Sequence, residues 1–211
     1  MNYVIEKFSF GKTFSIYIFG IILIYLLLVG AVMAHSNLQK SEKIDIYEGF
    51  GGDFTLRNTS DHNVSLKDYR GRVTVMFFGY TACPDNCPIT LSVLKQVVVS
   101  LDKQVDKLQV LFITIDPKKD TPEKMKNYLS AFQPNFIGLT GTKEEILKVA
   151  ENYGSAYMKN PKSFDSELNY LMIHTGNIYL IDQSGKVNEV YSQDTKVEKI
   201  VHGIKKLLDS N

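Results

Sequence analysis

The run Val73-Thr74-Val75-Met76-Phe77-Phe78, closed by Gly79, is the most restrictive feature of this chain. So dense a β-branched and aromatic stretch suits a strand buried on both faces, which requires covering elements on both sides of its sheet. Downstream, Ile89, Val93, Leu94, Val97, Val98 and Leu101 recur at helical spacing, and Leu108 to Ile115 returns to a largely apolar run. A β-α-β unit is predicted there. Thr121-Pro122 supplies a cap and a first-turn proline for a second helix running to about Phe132. Phe136 to Leu139 reads as a short strand, and the pairs Thr142/Glu145 and Thr195/Glu198 read as capping boxes that open two more helices. Between those helices, Tyr170 to Ile181 and Val187 to Tyr191 flank the turn Asp182-Gln183-Ser184-Gly185, a predicted hairpin. A shorter hairpin is predicted before the core, where Asp53 to Arg72 alternates around an Asn/Ser/Asp cluster. The expected class is α/β: a mixed sheet flanked by helices, with an N-terminal hairpin extension.

From Phe14 to Ala34 no residue is charged. About 20 such residues cross a hydrocarbon core of ~30 Å. Val32-Met33-Ala34 resembles a signal-peptide cleavage site, but signal cores are shorter, about 7–15 residues, which favours a retained anchor. Lys7 and Lys12 precede the span against Glu6 alone, so the N-terminus is expected inside. The reading is therefore a cytoplasmic N-terminus (1–13), a transmembrane helix (14–34), a polar linker (35–52) and a folded domain (53–211) facing the periplasm or outside. No Arg precedes Arg57, which argues against an Arg-rich transit peptide. The bacterial cytoplasmic membrane is favoured over the mitochondrial inner membrane. No cysteine near the span offers a lipid anchor. Lys+Arg 24 and Asp+Glu 23 are interspersed, for a formal net charge of +1, so there is no basic face for nucleic acid.

Both cysteines of the chain lie in Cys83-Pro84-Asp85-Asn86-Cys87-Pro88, between the buried strand and the first helix. Helix N-terminal amides stabilise thiolates, which favours nucleophilic attack and metal ligation alike. A structural disulfide would close so small a loop that it would remove little denatured-state entropy. Residues four apart on a regular helix have Cβ atoms about 5–6 Å apart, whereas a disulfide wants about 3.8 Å. A metal clip needs less distortion than oxidation, although redox cycling stays open. A third ligand must come from elsewhere. His35 lies in the linker, His62 in a turn cluster and His202 on the wet face of the last helix; His174 sits inside a strand run near Gly176. Read from the residues alone, His174 is either structural or a ligand.

Phe77-Phe78-Gly79-Tyr80-Thr81 leading into Cys83-Pro84-Asp85 and Cys87-Pro88, then Ile115-Asp116-Pro117 with Asp120-Thr121-Pro122, then Phe136-Ile137-Gly138-Leu139-Thr140-Gly141, then His174 ahead of Ile178-Tyr179-Leu180-Ile181-Asp182, resembles the Sco/SenC family from about Tyr47 to Leu208. The resemblance implies a thioredoxin-like fold on one N-terminal span. It also implies a copper chaperone for the dinuclear centre of cytochrome c oxidase, with that enzyme's copper subunit as partner. Copper, as Cu(I) or Cu(II), would be held by Cys83, Cys87 and His174. Two thiolates and an imidazole suit Cu(I), whereas structural zinc takes four ligands. Met158 and Met172 are candidate thioethers that ordinary packing explains equally well. Two positions depart from the family pattern: Ile173 stands where Asp is usual, and Ala82 where His or Phe is common. Asp116 is expected to close an Asx-type turn, or to support the cysteine loop. The chain is not expected to be a turnover enzyme. The rival reading is an extracytoplasmic thiol–disulfide oxidoreductase or thiol peroxidase, with Cys83 attacking and Cys87 resolving.

Overall fold

A computed structural model describes residues 20–30, 49–132, 135–163 and 170–210. The chain divides into two compact units, Met1–Ile46 and Tyr47–Asn211. In the first, residues 20–30 form a helix, α1, whose large apolar side chains are exposed. Among the described residues no helix is long and apolar enough to cross a membrane. The predicted span 14–34 runs beyond α1 at both ends, outside the described residues.

The second unit is built on a seven-stranded sheet in the order β2-β1-β5-β4-β3-β8-β9. Its strands are β1 (Thr55–Asn58), β2 (Asn63–Ser65), β3 (Val73–Gly79), β4 (Leu108–Thr114), β5 (Phe136–Thr140), β8 (Ile178–Ile181) and β9 (Val187–Tyr191). β3, β4 and β5 run parallel, and the remaining pairings are antiparallel. Every residue of β3 and β4 is buried, as a strand covered on both faces requires. The helices are α2 (Asn86–Ser100), α3 (Pro122–Ser130), α4 (Lys143–Asn152) and α5 (Val197–Leu208).

Neighbouring strand residues point to opposite faces, so the aromatic partners of β3 separate two layers. On one face, Phe77 packs against Phe112, which meets Tyr128 of α3; α2 and α5 cover the same side. On the other, Phe78 meets Tyr179 and Tyr153, the residue that ends α4. The Tyr153 hydroxyl donates to the Gly52 carbonyl at 2.9 Å, tying the start of this unit to the core.

Local chemistry accounts for several element ends. Thr121 accepts from the Lys124 amide, and Thr142 and Glu145 form the predicted reciprocal capping box. The β1–β2 hairpin turns where the Asn58 carboxamide oxygen accepts from the Ser60 and His62 amides, with Asp61 left-handed at φ 61°.

Two expectations need correction. The Thr195/Glu198 box does not form: α5 starts at Val197 with Lys196 in the capping position. Thr195 instead closes a turn, its amide donating to Ser192 O at 3.0 Å and its hydroxyl lying 3.3 Å from Ser192 Oγ. The predicted strand Tyr170–Ile181 is not continuous. It breaks at Thr175-Gly176-Asn177 into β7 (Met172–His174) and β8. β7 leaves the main sheet and pairs with β6 (Tyr157–Lys159), which the sequence reading missed, as a separate two-stranded ribbon. The Thr175 side chain fixes the departure, its hydroxyl accepting from the Ala156 amide at 2.8 Å.

Candidate metal centre

Cys83, Cys87 and His174 converge from three elements. Cys83 sits in the loop after β3, Cys87 in the first turn of α2, and His174 at the end of β7. Their ligand atoms lie within 4.8 Å of one another, and Cys87 Sγ is 3.7 Å from His174 Nε2. The cysteines are not bonded to each other; Cys83 is half-buried and Cys87 fully buried. The Cys87 amide donates to Cys83 Sγ at 3.4 Å, the helix-terminal contact that stabilises a thiolate.

The two sulfurs share one proton unequally. A hydrogen bond from Cys87, assisted by His174 and backbone amides, holds the Cys83 thiol down at about 3 against the opposing effect of burial. That same bond, with burial, pushes Cys87 far up. The pair is a thiolate beside a thiol, and a thiophilic metal would displace the remaining proton.

His174 is held by its surroundings. Its ring sits edge-on to Phe77 and Tyr80, each with centroids 6.1 Å away. Nδ1 lies 3.1 Å from the Thr175 carbonyl, which fixes the ring so that Nε2 faces the sulfurs as the ligand atom. Tyr80, which no local sequence signal marks, completes the enclosure. Its hydroxyl donates to the Met172 carbonyl at 3.3 Å and accepts the Met172 amide at 3.2 Å, so it locks β7 from across the site. Burial, with the Cys83 charge nearby, pushes its phenol up to about 12, so it stays a neutral donor.

Beneath the sulfurs, Gly79 leaves no room for a side chain. A Cβ there would lie 2.8 Å from Phe77 and Phe112 and 3.0 Å from Cys87 Sγ. Asp116 corrects another expectation. Its carboxylate closes no Asx turn and reaches no cysteine; it accepts the Tyr170 hydroxyl at 2.7 Å and faces Lys119 Nζ at 3.3 Å. Asp120 is the residue that holds the cysteine loop, by accepting from Thr81. His62 and His202 are exposed, and His35 lies outside the described residues. Met172 packs against the core, while Met158 is exposed opposite Ile173 on the β6–β7 ribbon.

Residues 45–209 match the SCO1/SenC family. This chain belongs to that family. Among its relatives, the SCO2-like protein of Rickettsia felis is 36% identical over 194 residues, covering 88% of this chain and 94% of that protein. Among solved structures, Bradyrhizobium japonicum ScoI with copper bound is 37% identical with a TM-score of 0.68, covering 75% of this chain and 99% of that one. BsSco, described as having a disulfide switch and as a member of the Sco family of cytochrome c oxidase assembly proteins, is 25% identical with a TM-score of 0.62, over 76% of this chain and 94% of that one.

Proposed function

We propose that this Sco-family chain is a copper carrier that binds one Cu(I) through Cys83, Cys87 and His174 and passes it by ligand exchange to the copper subunit of cytochrome c oxidase. The convergence of two sulfurs and one imidazole carries this reading. Soft thiolates with an imidazole select Cu(I), three ligands leave the ion open to an incoming ligand, and the half-exposed Cys83 gives that ligand a way in. The copper-bound relative and the oxidase-assembly role of BsSco support the same cargo and client. On this reading the protein performs no turnover chemistry.

The reduced unit Tyr47–Asn211, which has its own core, should take up one equivalent of Cu(I) and give it to a separately purified copper-receiving oxidase domain. Failure to bind, or binding without transfer to the apo domain, would sink the carrier reading. The segment 14–34 would anchor this unit at the outer face of a bacterial cytoplasmic membrane. Protease added to spheroplasts should then remove the folded unit from a membrane-bound remnant; protection from protease would reverse the topology.

One observation favours a second reading. A thiolate at Cys83 beside a protonated Cys87 is also an exchange pair: Cys83 would attack a target disulfide, and Cys87 would then displace the mixed disulfide, so that the pair is oxidised and the target reduced by two electrons. That chemistry has no need of the His174 imidazole as a ligand, and substitution of that residue separates the two.

A further inference from the structure

The turn between β4 and α3 touches both halves of the metal centre. The Asp116 carbonyl closes it, accepting the Lys119 and Asp120 amides at 3.1 and 2.9 Å. At one end the Asp120 carboxylate, fully buried, accepts the Thr81 amide at 3.0 Å, the Thr81 hydroxyl at 2.5 Å and the Thr114 hydroxyl at 2.7 Å. Lys124 Nζ stands 3.7 Å from that carboxylate at the surface. Thr81 is two residues from Cys83, so these bonds hold the cysteine loop.

At the other end Lys119, only 8% exposed in its side chain, donates to the Tyr170 carbonyl at 2.7 Å and lies 3.6 Å over the Tyr170 ring. The Tyr170 hydroxyl returns to Asp116 Oδ1. Tyr170 is two residues before β7, so this second cluster holds the strand carrying His174. Two carboxylates and an amine are thus buried in one five-residue turn. Burying charges costs more than a paired geometry usually returns, so stability alone does not account for them.

We infer that the turn Asp116–Asp120 is a positioning device for the metal centre. Asp120 sets the cysteine loop through Thr81, and Lys119 with Asp116 sets the histidine strand through Tyr170. This inference rests on the copper reading for its metal arm only.

The test crosses two pairs of conservative variants with two readouts on the unit Tyr47–Asn211. The first readout is the equilibrium with oxidised glutathione, in which the two protein thiols become a disulfide as one glutathione disulfide becomes two thiols. The second is Cu(I) affinity by competition with a chelator, with X-ray absorption of the complex. Thr81→Val and Asp120→Asn should shift both the glutathione equilibrium and the copper affinity by about 10-fold or more, in the range of changes to groups that orient metal ligands. Tyr170→Phe and Lys119→Met should weaken copper by about as much and diminish the nitrogen contribution, yet leave the glutathione equilibrium within about threefold.

A role confined to stability would lower the melting temperature in all four without this crossed pattern, and would overturn the inference. If all four bind copper like the wild type while His174→Ala does not, the inference falls and the copper reading stands. If the wild type binds no copper, the copper reading falls; an unchanged glutathione equilibrium in Thr81→Val and Asp120→Asn would then overturn the inference as well.

Discussion

His174→Ala should weaken Cu(I) binding by more than the roughly 10–100-fold typical of changes behind the ligands, because it removes a ligand atom itself. The wild-type complex should show two sulfurs and one nitrogen around copper by X-ray absorption, and the variant sulfur alone. The ring also fills space between Phe77 and Tyr80, so an alanine there removes packing as well as a ligand. His174→Phe separates the two effects: it keeps an aromatic ring in that slot without a nitrogen and should lose copper as severely as alanine. Both variants should keep a reactive Cys83 and an intact thiol pair, since the cysteines sit on other elements. Copper bound as tightly in either variant, with an unchanged spectrum, would remove His174 from the ligand set and make thiol exchange the better reading.

Alkylation of the reduced apo protein should depend on pH in a way no ordinary cysteine shows. A thiol with a pKa near 8.5 is ionised in only about one molecule in several thousand at pH 5, so its reaction slows about a thousandfold between pH 8 and pH 5. Cys83 is held at about 3, first by the hydrogen bond from Cys87 and then by His174 and backbone amides. It is therefore a thiolate throughout that interval. Its alkylation should be nearly flat from pH 8 to pH 5 and fall only as pH drops toward 3, when protonation removes the nucleophile. Cys87, pushed up by that same bond and by burial, should stay unmodified in the native state. Mass spectrometry should find one adduct, on Cys83. Cys87→Ala deletes the principal donor and should move the midpoint upward. A wild-type midpoint near 8, or equal labelling of both cysteines, would refute the shared-proton arrangement.

What the sequence determined by itself is what neighbouring residues decide together. The runs at Val73 and Leu108 could be read as buried strands because hydrophobic content within one segment sets its burial. Thr121 and Thr142 were recognisable as caps because the amides they accept lie three residues away. The cysteines could be placed at a helix start for the same reason, and the ordered motifs were enough to suggest the family and, through it, His174.

Where a choice depended on distant partners, local pattern misled or was silent. Thr195 is the one local exception, its amide and hydroxyl engaging Ser192 three residues earlier instead of capping α5. Nothing near Tyr170–Ile181 shows that the strand must break, because the break is made by Thr175 bonding to Ala156, 19 residues earlier. The bridge from Tyr80 to Met172 spans 92 residues, and the bonds from Thr81 to Asp120 span 39. Only the tertiary structure decides such contacts. A hydrogen bond between remote segments has no periodicity for a sequence to display, so its partners are settled when the sheet and its covering helices bring the loops together at one end.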